Sequence, residues 1–319
     1  MKKKIICKIC KSTVRKKKVV TRSKKKITLF ICNYCDFEFF SHNPSSGLEK
    51  NKLDKYRLKS AGLKIPNIKK DFKNGLRQSK IYVSEYFPKN EFINKNILEI
   101  GCSWGYFLKS VKRKNNTVRG IEINRIRRNF VNKKIKVKCF KDLKECEKEN
   151  IRYDYIFLFY TLEYITDPTE YLNSLIYLLK KKGRIIIVTP NLNDALKNIW
   201  RINKYLNFFY DEHAVNYFSP KSIKVLMKKI KKRNFKILCR QDYSIINHLN
   251  WYLNEKPVTS NKVGGDYFIE NLINKLQEKK KELKISNKIK NLIYDFDKKY
   301  KFILNKSNLG NQIKLIVKN

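Results

Sequence analysis

No stretch of this chain reaches the roughly 18 consecutive apolar residues that a membrane-crossing helix needs, so a helical transmembrane protein is not expected. The opening residues, Met1-Lys2-Lys3-Lys4-Ile5-Ile6-Cys7, carry basic charge with no hydrophobic core behind it, which excludes a signal-peptide reading. No internal repeat is evident, which excludes a solenoid or propeller. Histidine is scarce, three in 319 residues, so imidazole chemistry is confined to very few positions. Acidic residues are few as well: 28 Asp and Glu against 73 Lys and Arg give a formal charge of +45. Two explanations stay open for that charge. One is a polyanionic partner such as RNA, a phosphate-bearing glycan or a membrane surface. The other is compositional, because lysine, asparagine and isoleucine abound along the whole chain, as an AT-rich genome would produce, and the lysines form no block or stripe.

What is present is a globular composition, 42% apolar and 13% aromatic, long enough for one large domain plus something small. Cys7-x-x-Cys10 and Cys32-x-x-Cys35 form two knuckles at a spacing that closes a tetrahedral four-thiolate zinc site. The basic, β-branched stretch from Val14 to Ile31 reads as a hairpin between them. A closed four-thiolate site has no open position for substrate, so Cys7, Cys10, Cys32 and Cys35 are expected to hold structural Zn2+ and supply folding energy. Neither pair has the βαβ context of a redox motif. Cys102, Cys139, Cys146 and Cys239 show no such pairing and read as small apolar fillers. The expected compartment is the cytoplasm, where thiols stay reduced. Ser41 to Gly47 marks a linker, with His42 as a loop residue.

The chemistry-bearing segment is Asn96-Ile97-Leu98-Glu99-Ile100-Gly101-Cys102-Ser103-Trp104-Gly105-Tyr106-Phe107-Leu108. It reads as buried strand, glycine turn and helix start, the arrangement by which an open α/β sheet holds a nucleotide-like cofactor. Glu99 near the strand end would repel a pyrophosphate but suits a cationic ligand, which favours S-adenosylmethionine (SAM) over NAD. Glu122, 21 residues after Gly101, stands where an acidic side chain accepts hydrogen bonds from ribose hydroxyls. Strands follow at Thr117–Ile123, Ile135–Phe140, Tyr155–Tyr160 and Arg184–Thr189, with a helix from Tyr171 to Leu179 stopped by Lys180-Lys181-Lys182-Gly183. Phe235–Cys239 and Ile313–Val317 read as two more strands, with helices over about 268–303 between them. The expected fold is α/β, a seven-stranded doubly wound sheet preceded by a small four-cysteine ribbon. Its expected divisions are ribbon 1–47, helical linker or lid 48–94, and main domain 95–319 with a helical insertion at about 250–305.

Taken together, Ile97–Cys102 with Gly105, Gly120-Ile121-Glu122, Tyr153-Asp154-Tyr155-Ile156, Leu162–Pro168, Leu178-Leu179-Lys180 with Gly183, and Thr189-Pro190-Asn191 resemble the class I SAM-dependent methyltransferases, with their Rossmann-like sheet. The resemblance implies Glu99, Gly101 and Gly105 at the methionine end of the cofactor, with Ser103 in the same loop. It implies Glu122 on the ribose, Asp142 near the adenine, and Tyr160 and Thr161 lining the methionine pocket. Ser103 stands where the family usually has glycine, and Tyr164 where it usually has histidine. A further segment, Tyr210-Asp211-Glu212-His213-Ala214-Val215-Asn216-Tyr217-Phe218-Ser219-Pro220, resembles bacterial glycan-modifying methyltransferases and sugar C-methyltransferases with an N-terminal zinc module and a Glu-His pair. It implies a sugar, nucleotide-sugar or polysaccharide acceptor.

A sugar hydroxyl is a poor nucleophile and needs a general base. His213 suits that role near neutral pH, and Glu212 could orient it or act itself. A capping or core-satisfying histidine is the alternative for His213, and His248 reads as structural. The surrounding aromatics, Trp200, Tyr205, Phe208, Phe209, Tyr210 and Tyr217, form either a sugar-stacking wall or a core beneath a lid. Two other functions stay open: an RNA methyltransferase gripping phosphates through its lysines and zinc module, and a non-catalytic relative that has lost SAM binding. Against the RNA reading, Tyr160-Thr161-Leu162-Glu163 stands where a base-methylating enzyme carries an Asn-Pro-Pro-Tyr motif.

Overall fold

The computed structural model describes residues 5–41, 68–87, 91–256 and 283–319; the expected loop residue His42 and most of the linker lie outside them. Parallel strands β4 (Asn96–Ile100), β5 (Thr117–Ile121), β6 (Lys138–Phe140), β7 (Tyr153–Phe159) and β8 (Leu179–Pro190) build one side of a seven-stranded sheet. It is completed by β10 (Phe235–Arg240) and by β11 (Gln312–Lys318), which runs antiparallel between β8 and β10. The order is β10-β11-β8-β7-β4-β5-β6. The central strands are buried on both faces, so they are near-continuous apolar runs rather than alternating ones: Ile97, Leu98, Ile156, Phe157, Leu158 and Ile187 are all fully buried.

The expected strands appear in place with several boundaries moved: β5 stops at Ile121 rather than Ile123, β6 begins at Lys138 because Val131–Ile135 is a helical turn, and β8 begins at Leu179 rather than Arg184. Lys180 to Gly183 does not terminate a helix. The helix Pro168–Tyr177 ends earlier, and the chain is already extended from Leu179. Tyr153 pairs with Leu179 but Tyr155 with Arg184, so the four residues between bulge out of the ladder, with Lys181 and Lys182 exposed and Lys180 paired with Asp154 at 2.7 Å. Between β10 and β11 the described residues form helices Ile245–Asn254 and Leu283–Lys306. The helix Ile68–Tyr86 lies against the main sheet, where Tyr82 stacks on Phe159 at the end of β7 with ring centroids 4.5 Å apart.

The N-terminal module is an antiparallel sheet of β1 (Val14–Val20), β2 (Lys26–Cys32) and β3 (Glu38–Phe40). Its fourth strand is donated by the main domain: β9 (Asn216–Tyr217) pairs with β3. Phe39 stacks on both Phe30 and Phe37, and Phe37 packs at a tilt against Phe218. On the sheet's other face Leu29, Ile31 and Phe40 pack with Tyr210, Ala214 and Tyr217. Each fully buried ring contributes about 2 kcal/mol, so the module is fastened to the segment that follows β8.

Candidate active site and four-cysteine centre

The cofactor end of the site forms where β4 and β5 stop. Gly101 and Gly105 take left-handed backbone conformations at φ +71° and +74°. At Gly101 a side chain is excluded on a second ground, because an added Cβ would stand 2.5 Å from Thr161 Oγ1. Ser103 shares the left-handed region at φ +52°, the conformation for which glycine is the unstrained choice. Its N–H donates to Glu122 Oε2 at 2.9 Å, and Glu122 Oε1 accepts from Asn124 N at 2.8 Å. Thr161 Oγ1 lies 3.1 Å from the Ile100 carbonyl, which closes the turn from the β7 side.

Glu99 is the electrostatic anomaly. Its carboxylate is buried, and Oε2 has no hydrogen-bond partner among the described residues. Burial first, and then the like charge of Glu122, pushes its carboxyl well above the usual range, against a backbone hydrogen bond at Leu108. An orphaned buried carboxyl oxygen beside a left-handed glycine turn fits a cationic ligand such as the sulfonium and ammonium of SAM, and a pyrophosphate would find like charge there. Of the expected cofactor residues, Glu99, Gly101, Ser103, Gly105, Glu122 and Thr161 converge. Asp142 sits beyond β6, exposed, with Oδ1 capping the helix Leu143–Glu147 through Glu145 N at 2.9 Å. Tyr160, left-handed at φ +50°, turns its hydroxyl away to donate to Gln312 Oε1 at 2.6 Å.

The second part of the site is the loop before β9. It is held against the turn after β7, Leu162–Tyr164: Val215 N donates to the Glu163 carbonyl at 2.9 Å, and Asn216 Nδ2 donates to the Ile165 carbonyl at 2.5 Å. Glu163 is buried and accepts from Thr189 Oγ1 at 3.1 Å. Tyr164, in the family's usual histidine position, packs against the cluster of Leu192, Tyr210 and Tyr217.

His213 is half-buried, and Nδ1 stands 3.0 Å from Asp211 Oδ1. The same oxygen accepts from His213 N at 3.0 Å, an Asx turn that brings the two side chains together. Glu212 is turned elsewhere. Its carboxylate pairs with Lys25 Nζ at 3.0 Å and accepts from Thr21 and Ser23, all in the β1–β2 turn. The carboxylate that orients His213 is therefore Asp211, to which the sequence alone assigns no role. An Asp-x-His spacing inside a loop was the available signal.

The aromatic residues divide. Tyr205, Tyr210 and Tyr217 are buried, and Tyr205 packs with Phe208 and Trp251 as core. His248 is fully buried between Tyr300 Oη at 2.6 Å and Gln241 Nε2 at 3.0 Å, and burial pushes its imidazole down to about 4. Cys102, Cys139, Cys146 and Cys239 are all buried.

The four N-terminal cysteines come together with all sulfurs within 4.8 Å. Cys7 and Cys35 are 3.7 Å apart, Cys10 and Cys32 3.4 Å, and Cys10 and Cys35 3.7 Å. Sulfurs about 2.3 Å from a tetrahedral zinc stand about 3.7 Å from one another, so the donor set fits that ion. The knuckles match: Lys11 and Asp36, each following the second cysteine of its pair, are both left-handed. Tyr34 N and Cys35 N point at Cys32 Sγ at 3.4 Å, the amide support a thiolate ligand takes.

The sequence profile of a family described as methyltransferase domain matches residues 74–239. No curated protein sequence matches the chain. Among solved structures the chain is similar to a SAM-dependent methyltransferase from Archaeoglobus fulgidus, at 18% identity and TM-score 0.46, covering 78% of this chain and 96% of that one. It is also similar to the plantazolicin methyltransferase BamL in complex with a triazolic substrate analogue and SAH (13% identity, TM-score 0.46, covering 87% and 93%). A third is a possible histamine N-methyltransferase from Thermotoga maritima (15%, TM-score 0.43, covering 78% and 88%).

Proposed function

The chain belongs to the methyltransferase-domain family and is a SAM-dependent methyltransferase; from that premise we propose that it methylates a sugar, nucleotide-sugar or polysaccharide acceptor, at oxygen or carbon, in the cytoplasm. The observation that carries this reading is the Asp211–His213 pair, held on the edge where β7 ends. An acceptor that is already a good nucleophile needs no base, whereas a sugar hydroxyl or a sugar C–H must lose a proton.

When bound, SAM supplies a methyl group already activated on a sulfonium. Glu99, Gly101, Ser103, Gly105, Glu122 and Thr161 would hold it, with Asp142 toward the adenine and Tyr160 beside the methionine pocket. Asp211 accepts from His213 Nδ1–H, which fixes the tautomer and puts the basic lone pair on Nε2. Nε2 takes the acceptor's proton as the acceptor atom takes the methyl group. Glu163, through its carbonyl and its carboxylate, holds the base-bearing loop and β8 in one register, and such positioning is worth several kcal/mol of the barrier. Among the described residues no helix is long and apolar enough to cross a membrane.

His213→Ala tests the reading. Its kcat is expected to fall ~100- to 10,000-fold with SAM affinity unchanged by calorimetry; wild-type turnover would overturn the base assignment. We place structural zinc on Cys7, Cys10, Cys32 and Cys35, with about one equivalent expected by metal analysis and less than about half counting against it.

RNA methylation is the second reading, and one observation favours it. A cavity of about 450 Å³ is lined by Lys112, Arg113, Lys114, Arg119, Lys136 and Lys138. It lies before β5 and β6, at the opposite end of those strands from the glycine turn, which places it away from the reacting groups. Tight RNA binding that weakens steeply with salt would favour this reading.

A further inference from the structure

The β1–β2 turn of the four-cysteine module reaches into the methyltransferase site. Arg22 N donates to the Tyr210 carbonyl at 2.8 Å, and Arg22 Nε donates to the Phe208 carbonyl at 2.9 Å. Its guanidinium lies over the Phe208 ring, 4.1 Å from the centroid, and one terminal nitrogen stands 3.9 Å from Asp211 Oδ2. Asp211 Oδ1, the other oxygen of that carboxylate, is the partner of His213 Nδ1. Tyr217 fixes the Asp211 backbone, accepting from its N–H at 2.8 Å and donating to its carbonyl at 2.9 Å. Three side chains thus stand in line across the join between module and main domain: Arg22, Asp211, His213.

We propose that Arg22 is a positioning residue for methyl transfer, holding the Asp211–His213 pair in place from the four-cysteine module, so that this module is part of the active site. The proposal rests on His213 as the base. A guanidinium pinned at Nε and stacked on an aromatic face is pre-organised, so it fixes Asp211 at little entropic cost. It also draws on the carboxylate's charge and leaves less of it to stabilise a protonated imidazole. The titratable groups on the elements around the imidazole are Asp211 and Glu212 on its own loop, Arg22 and Lys25 on the hairpin, Glu163 and Tyr164 on the turn after β7, and Tyr217 on β9. Glu212 pairs with Lys25, Glu163 accepts from Thr189, and Asp211 stands between Arg22 and the imidazole.

The test is an NMR titration of His213 in the full, metal-loaded chain, its resonance identified by its loss in His213→Asn. It is paired with the pH profile of kcat/KM. Arg22→Met keeps an apolar stem over Phe208 and deletes the charge; Arg22→Gln is the second neutral variant, should Met disturb folding. In a neutral variant the His213 resonance is expected to titrate at higher pH than in the wild type, with the acid limb of the rate profile moving up alongside it, because the base must be neutral to act. The expected kcat loss is several-fold with the acceptor KM little changed, and Arg22→Lys, which returns the charge without the Nε bond to Phe208, restores the midpoint and only part of the rate. An unmoved His213 midpoint in both neutral variants overturns the proposal. A midpoint that rises while the rate profile stays fixed removes His213 from the base role and Arg22 from the reaction with it.

Discussion

The two walls of the proposed site, one for cofactor and one for acceptor, are built on opposite plans. The cofactor wall is local: Glu99, Gly101, Ser103, Gly105 and Glu122 fall within 24 consecutive residues, on two adjacent parallel strands and the turns that leave them. The acceptor wall is assembled from afar. Asp211 and His213 sit on a loop whose partners are Glu163 in the turn after β7 and Arg22, Ser23 and Lys25 near the N-terminus, with Ser23 and Glu212 189 positions apart. A local wall survives damage elsewhere; a composite one fails when any contributor is lost. The proposed zinc of the module, the Glu122 clamp, the Glu99 carboxyl and the Ser103 backbone each probe that difference, in descending size of effect.

Metal removal should separate the walls most strongly. A module of this size cannot hold its fold on apolar burial alone, and a four-thiolate site contributes its binding energy to folding. Stripping the metal, or Cys35→Ser, should release β3 from β9 and free the Asp211–His213 loop. Turnover is then expected to fall at least ~100-fold while calorimetric SAM affinity stays within about threefold. Equal loss of both would show that the cofactor wall depends on the module too.

Glu122→Ala should do the reverse. It removes the acceptor of two backbone N–H groups, from Ser103 and Asn124, as well as the expected ribose contact. Hydrogen bonds to a charged group are worth about 1.5–3 kcal/mol each, so SAM affinity is expected to weaken ~10- to 100-fold by calorimetry, with the His213 titration unmoved. Unchanged affinity would remove Glu122 from the ribose role.

Glu99 gives a subtler readout on the same wall. Its raised carboxyl pKa means that the native state binds a proton more tightly than the unfolded chain does. Its contribution to apo stability is therefore full below the ordinary glutamate range and is lost as pH rises through the folded value. A cation docking beside Oε2 favours the ionised form, so SAM binding near neutral pH should release a fraction of a proton. That release appears as a binding heat that varies with the buffer's ionisation enthalpy and disappears in Glu99→Gln. A buffer-independent heat in the wild type would mean that the carboxyl and the cation do not meet.

The same contrast explains what the sequence discloses. The strands themselves, though not all their ends, and the glycine turn are legible because short parallel strands are continuous apolar runs and left-handed turns favour glycine. The four-cysteine cluster is legible because metal geometry fixes ligand spacing. The Asp211–His213 pair lies at the margin, since an Asx turn joins residues two apart but nothing local says which carboxylate, Asp211 or Glu212, turns inward. The module's docking decides that by engaging Glu212 with Lys25. The role proposed for Arg22 is illegible, because it depends on one edge pairing, β3 with β9, that no local pattern encodes. The Lys180–Gly183 run misleads because a bulge and a helix stop share a composition.

The smallest effect belongs to Ser103→Gly. The left-handed backbone at φ +52° costs a residue with a Cβ about 1 kcal/mol, and glycine would recover that but add about 0.5–1 kcal/mol of unfolded-state entropy. The two nearly cancel, so the melting temperature should move by no more than about 4 °C. SAM affinity should also stay close to wild type, because the contact that ties this turn to Glu122 comes from the Ser103 N–H, which glycine keeps. A gain below about fivefold on titration fits a turn already held in its binding shape. A loss beyond about tenfold would assign the serine hydroxyl a direct place on the cofactor, and the cofactor wall would then be specified by a side chain as well as by backbone. Either way the acceptor wall should not register the change, since no contact from Ser103 reaches the loop that carries His213 among the bonds described.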